Sequence, residues 1–166
     1  MRLLGMTVIK DSKADILWKK IRDLYDFKNY SHKAISPSNL KYKTYSLKNI
    51  NIMTFSYNAD GEVSEEYKYN ADKLKKLFAS YFKNGMYVLD WQHDCFEVDS
   101  YEFFSVLNEE ADGIWMPSFL PEADTVFFLS KDLMEGWITD FNNGSIIVVG
   151  EDFIGKVDSL EFDFLD

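Results

Sequence analysis

Met86-Tyr87-Val88-Leu89-Asp90-Trp91-Gln92-His93-Asp94-Cys95-Phe96-Glu97-Val98 decides how this chain is read. Its first half is almost wholly apolar, as expected of a strand covered on both faces and therefore central in a sheet. Its second half holds the only cysteine and one of the two histidines. Asp90, Asp94 and Glu97 stand among them. A segment of this kind is where chemistry would sit, yet no catalytic signature of known mechanics occurs here or elsewhere in the chain.

Working outward, two helices are predicted before this strand. The first opens near Ser12, the candidate N-cap, with Asp15 in the capping-box position. Ile16, Leu17, Ile21, Leu24 and Tyr25 form its apolar stripe, and Trp18 is read as core. The second runs from Ser64 to Lys83 and stops at Asn84-Gly85. Leu74, Leu77, Phe78, Tyr81 and Phe82 make its apolar face; Lys68, Lys73, Lys75 and Lys76 make a basic face, read as solvated. Residues 2–9 and Asn51 to Tyr57 read as strands, the latter half-buried by its alternation. Asn58-Ala59-Asp60-Gly61 is a turn.

After the central stretch, Tyr101 to Asn108 reads as a short helix or an irregular segment, and 109–113 as a loop. Strands are expected at 125–130, 136–140 and 145–149, with a hairpin-type turn at Asn142-Asn143-Gly144. A short helix over 152–159 follows, and the tail from Leu160 to Asp166 is either an acidic strand or a mobile end. The expected fold is α+β: two amphipathic helices packed on a mostly antiparallel sheet in a single domain spanning residues 1–166.

Composition supports a packed core, with 46% hydrophobic and 17% aromatic residues. No apolar run approaches the roughly 20 residues of a membrane helix, and the N-terminus does not read as a signal peptide. A lone Cys95 can form no internal disulfide, which suits a reducing cytoplasm. The net charge of −10 is unevenly placed. Residues 1–83 carry 16 basic and 9 acidic side chains, a balance of +7; residues 84–166 carry 2 and 19, a balance of −17. Such asymmetry points to a charged partner or to the two halves facing each other; the plain alternative is a solvated acidic surface that keeps the protein in solution. An acidic surface disfavours nucleic acid and suits a basic protein.

Metal binding at the central stretch is weighed and set aside. On a strand, His93, Cys95 and Glu97 share a face, Asp94 points away, and a further histidine must come from distant His32. Cys95 lacks the flanking pattern of a cysteine enzyme and reads as a small buried side chain. No phosphate-binding glycine loop is present. Neither catalytic residues nor a cofactor is assigned.

Several segments resemble a bacterial family known as domain of unknown function 2716. Leu89-Asp90-Trp91-Gln92-His93-Asp94-Cys95-Phe96 is similar to its "LDWQH-(acidic)-C-aromatic" core. Trp115-Met116-Pro117 is similar to its Trp-x-Pro, and 121–129 to its strand preceded by an aspartate, here Asp124. The turn at 131–137 and the strand closing at Gly150 follow in order, so the resemblance spans about residues 86–156. It departs at Ala123, where the family has glycine, and at 139–142, where a Gly-His-Pro-Trp segment is absent. The resemblance brings no assigned chemistry; by analogy its small acidic members look like immunity proteins that neutralise toxins.

Two functional expectations follow. The first is a non-enzymatic acidic binding protein, an immunity-type inhibitor of a basic partner such as a toxin. Glu109, Glu110, Asp112, Glu122 and Asp124 in expected loops would be its contacts. The second is a small-ligand-binding protein or enzyme, with a pocket around Asp90, Trp91, His93, Asp94 and Trp115. A domain that only assembles with itself is the plain alternative.

Overall fold

The computed structural model describes residues 2–3, 5–28, 35–99, 110–111, 114–115, 117–122 and 124–166. His32, the segment from Tyr101 to Asn108, Glu109 and Asp112 lie outside the described residues, as do the side chains of Glu110 and Trp115.

Chain order gives β1 (Arg2–Leu3), β2 (Met6–Val8), α1 (Asp11–Tyr25), β3 (Tyr42–Ser46), α2 (Ile52–Ser56), α3 (Glu65–Tyr81), β4 (Met86–Asp90), β5 (Cys95–Val98), β6 (Glu110–Ala111), β7 (Ile114–Trp115), β8 (Val126–Ser130), β9 (Gly136–Asp140), β10 (Ser145–Val149) and α4 (Glu151–Ser159). Among the described residues, eight strands form one sheet in the order β1-β2-β5-β4-β8-β9-β10-β3. Every neighbouring pair in it is antiparallel. Strands β6 and β7 form a separate small hairpin. The fold is α+β, and β4 lies inside the sheet between β5 and β8, as its apolar run requires.

Because side chains alternate along a strand, each sheet face has its own core. On one face Val88, Phe96, Val126, Phe128, Trp137, Ile146 and Val148 pack with α3 residues Leu74, Leu77 and Phe78 and α4 residues Phe153 and Val157. On the other, Leu89, Cys95, Phe127, Leu129, Ile138, Ile147 and Val149 meet α1 through Leu17, Trp18, Ile21 and Tyr25. The stripe of α1 therefore includes Trp18 and leaves out Ile16, which is 58% exposed. One glycine is required by this sheet. At Gly136 (φ 153°) a Cβ would lie 2.0 Å from the Phe128 carbonyl oxygen on the paired strand β8.

Several sequence expectations are corrected. Residues 2–9 are not one strand: the chain reverses at Gly5 (φ 81°) to form the β1–β2 hairpin. Helix α1 starts before Ser12, because the amides of Lys13 and Ala14 both donate to the Lys10 carbonyl. The stretch from Asn51 to Tyr57 is the short helix α2, with Asn51 Oδ1 accepting from the Thr54 amide at 3.2 Å. Its alternation is broken by the adjacent apolar pair Ile52-Met53, and in a helix Phe55 turns inward while Met53 stays 61% exposed. The tail is neither strand nor mobile end. Phe162 and Phe164 are buried, and Lys73 of α3 holds the turn before them, donating to the Leu160 carbonyl at 2.7 Å with its ammonium 4.7 Å from the Phe162 ring centroid. Lys73 thus leaves the solvated face expected for it.

The oppositely charged halves meet within one molecule. Glu97 accepts from Lys13 at 3.0 Å and Lys43 pairs with Asp158 at 3.1 Å; Lys131, from the same half as Glu97, also donates to it. These pairs are partly exposed, so each is worth at most about 1 kcal/mol. Among the described residues no helix is long and apolar enough to cross a membrane.

Candidate functional site

The antiparallel pairing of β4 with β8 sets Asp90 opposite Val126, which brings the turn after β4 beside the segment entering β8. Asp90 shapes that turn. Its Oδ1 accepts from the amides of Gln92 (3.0 Å) and His93 (3.3 Å), bending the chain at 91–93. Asp124 reaches in from the other segment. Its Oδ1 accepts from the Thr125 amide at 2.9 Å and its Oδ2 from the Gln92 amide at 3.3 Å. His93 is therefore in a turn, not on a strand face with Cys95 and Glu97. Its Nδ1 lies 3.2 Å from Asp90 Oδ2 and 3.0 Å from Asp124 Oδ2.

The carboxyls are sealed, Asp90 at 1% and Asp124 at 5% exposure, while the His93 side chain is 36% exposed. Two carboxylates gathered on one histidine nitrogen and shielded from water repel each other, so the charged form of the pair is disfavoured. Burial, then the hydrogen bond to Asp124 and its charge, push the Asp90 carboxyl well above the ordinary carboxylate value of 3.8. The pair so holds a proton that isolated carboxyls would release. Among the described residues no lysine or arginine is ion-paired with either group.

Beside the cluster is a cavity of about 150 Å³, lined by Phe27, Trp91, Gln92, Asp124, Thr125, Phe141 and Asn142. Asp124 belongs to both cluster and cavity. Trp91 is fixed edge-on against Trp18 (5.6 Å) and Phe27 (5.9 Å). Trp91 and Phe27 give the wall a held aromatic side, and Gln92, Asp124, Thr125 and Asn142 make the rest of it polar.

Of the residues expected around a pocket, Trp91 lines the cavity, and Asp90 and His93 meet each other beside it without lining it. Asp94 is half-buried and takes no part in the carboxyl–histidine contacts. Of the expected partner contacts, Asp124 is corrected: it is a buried member of the cluster and no exposed loop charge. Glu122 is half-buried, and Glu110 lies in β6 rather than a loop. Asp124 as a partner of His93, and Thr125, Phe141 and Asn142 as cavity wall, were not foreseen. Cys95 is buried beneath this site, and burial pushes its thiol up to about 11, which removes it as a thiolate nucleophile near neutrality.

The model of one protein family, described as protein of unknown function (DUF2716), matches residues 8–154. The chain belongs to the DUF2716 family. All three members of the cluster lie in the two segments by which the sequence resembles DUF2716 proteins. A protein of Bacillus subtilis (strain 168) named Uncharacterized protein YxiI is 23% identical over 160 residues, covering 95% of this chain and 94% of that protein. No solved structure matches significantly.

Proposed function

We propose that this DUF2716 protein binds a small polar ligand at the sheet end around His93, and that the His93–carboxyl cluster either holds the ligand or exchanges protons with it. The observation that carries this reading is a partly exposed histidine whose Nδ1 is held by two buried carboxyls at 3.0 and 3.2 Å, beside a cavity. A carboxyl on Nδ1 fixes the tautomer and orientation of an imidazole, the arrangement used by acid–base histidines. A structural latch alone would not need the histidine exposed. The test is a thermal-shift screen of small polar metabolites against wild type and His93→Ala. A ligand that raises the Tm of wild type alone supports the site; shifts that are equal in both proteins contradict it.

A second reading is favoured by a separate observation. In residues 151–166 all six acidic side chains, Glu151, Asp152, Asp158, Glu161, Asp163 and Asp166, are exposed, and Lys156 is the one base among them. The buried Phe162 and Phe164 hold the tail in place, and with Asp158 taken up by Lys43 the proposed ridge consists of Glu151, Asp152, Glu161 and Asp163. It borders an open groove of about 280 Å³ lined in part by Met134, Glu135, Glu151 and Asp152. We propose this ridge, in place of the loops at 109–124, as the contact surface if the protein is an immunity-type inhibitor of a basic partner such as a toxin. Preset charge speeds association with such a partner. Reversing Glu151, Asp152, Glu161 and Asp163 to lysine should then slow association and flatten its salt dependence; an unchanged rate would contradict it.

A further inference from the structure

We propose that Asp90, His93 and Asp124 form a binding site for one divalent transition-metal ion of the Zn²⁺ or Mn²⁺ type. The proposal rests on the reading of the His93 cluster as a ligand site, and names the ligand. One ligand atom from each residue lies within 4.8 Å of the other two. Donors around a single ion bound at about 2.0–2.2 Å are spaced on that scale. The approach of Nδ1 to both Oδ2 atoms means that one imidazole nitrogen and two carboxylate oxygens already converge. An ion between them would displace the protons now shared among these atoms.

Three further observations bear on occupancy. Both carboxyls are more than nine-tenths buried, and no lysine or arginine among the described residues is ion-paired with them. A divalent cation, taking the place of the proton the pair holds, would balance both carboxylates at once. The other Asp90 oxygen and the other Asp124 oxygen are held by the amides of Gln92, His93 and Thr125. These hydrogen bonds turn one oxygen of each carboxyl toward the histidine, as second-sphere contacts orient metal ligands, and the Gln92 amide also donates to that oxygen of Asp124 at 3.3 Å. Finally, the cavity reaches Asp124 from outside and is lined by Gln92, Thr125 and Asn142 as well as aromatic rings. It offers room for the water or substrate atom that a three-ligand site leaves open.

The donor set selects among ions. Two carboxylates with one imidazole suit Zn²⁺ and Mn²⁺; purely oxygen-seeking Mg²⁺ and Ca²⁺ gain little from the nitrogen. Cys95, the one soft ligand, is excluded by its position in the core beside α1.

The experiment is calorimetric titration of Zn²⁺, Mn²⁺ and Mg²⁺ into tag-free, chelator-treated protein, with thermal unfolding in parallel. One equivalent of Zn²⁺ or Mn²⁺ should bind and raise the Tm, and Mg²⁺ should bind at least tenfold more weakly. Asp124→Asn, which keeps size and shape, and His93→Ala, at a partly exposed position, should each weaken binding tenfold or more. Cys95→Ser should leave it unchanged. Circular dichroism shows whether each variant is folded, and Asp90→Asn replaces any that is not. Failure of both ions to bind at millimolar concentration, or binding that all three cluster variants leave intact, overturns the proposal. If no ion binds but an organic ligand stabilises wild type and not His93→Ala, the metal is excluded while the ligand site stands. If neither binds, both readings fall.

Discussion

Asp124 and His93 are 31 residues apart in sequence, yet the Oδ2 of one lies 3.0 Å from the Nδ1 of the other. The contact joins the turn leaving β4 to the segment entering β8, and Asp124 also accepts from the Thr125 and Gln92 amides. Replacing Asp124 by alanine removes the acceptor for all of these at a buried site. The expected cost is about 1–3 kcal/mol, with Asp124→Asn milder because one acceptor oxygen stays. Urea unfolding measures both; an alanine variant as stable as wild type would show that the contact is incidental.

Asp90 gives a pH dependence with a definite sign. Its folded-state value is raised above the ordinary 3.8, so the native protein keeps a proton that the unfolded chain gives up. The stability this contributes is complete below the ordinary value and declines as pH rises through the raised one. For one proton the slope is at most about 1.4 kcal/mol per pH unit. Metal-free wild type should therefore lose stability between roughly pH 5 and 8 through this group, and Asp90→Asn, which cannot titrate, should show a flatter profile. Parallel profiles would mean that Asp90 ionises normally.

The tail should be part of the cooperative fold. Phe164 is 4% exposed and meets the rings of Phe55, Phe119, Trp137 and Phe162. Phe164→Ala should cost about 3–5 kcal/mol, a large share of the stability of a domain this size. Thermal unfolding tests this; a change within error would return the tail to the mobile end that its acidity suggested.

Cys95 should resist modification. It is buried, with its thiol pushed up to about 11 chiefly by burial. A thiol-disulfide reagent at neutral pH should react with the native protein far more slowly than with the unfolded chain. Rapid reaction in the native state would reopen a nucleophilic role.

What the sequence showed of this fold, and what it hid, divides by the range of the interactions. Continuous apolar runs identified β4 and β10, because strands covered on both faces leave no place for alternation. Ser64 announced α3, and its hydroxyl does accept from the Tyr67 amide at 3.0 Å. The short helix α2 was hidden because five residues carry too little periodicity. Its evidence is a side-chain cap at Asn51 and a contact with Phe164, more than a hundred residues away. At the site, the nearness of Asp90 and His93 was legible because a single turn holds them. Asp124 was not, because nothing local separates a buried carboxylate from an exposed one; strand pairing does that. The same lack of long-range information made His93 look like a strand neighbour of Cys95 and Glu97, and so hid a three-donor arrangement.

The most direct measurement is the anomalous difference map from crystals soaked in Zn²⁺ and, separately, in Mn²⁺ near neutral pH. The expected result is one peak between His93 Nδ1 and the Oδ2 atoms of Asp90 and Asp124, at about 2.0–2.2 Å from each. Maps empty at that point for both ions, with His93 still hydrogen-bonded directly to both carboxyls, would contradict the metal site and leave the cluster as a latch between two turns.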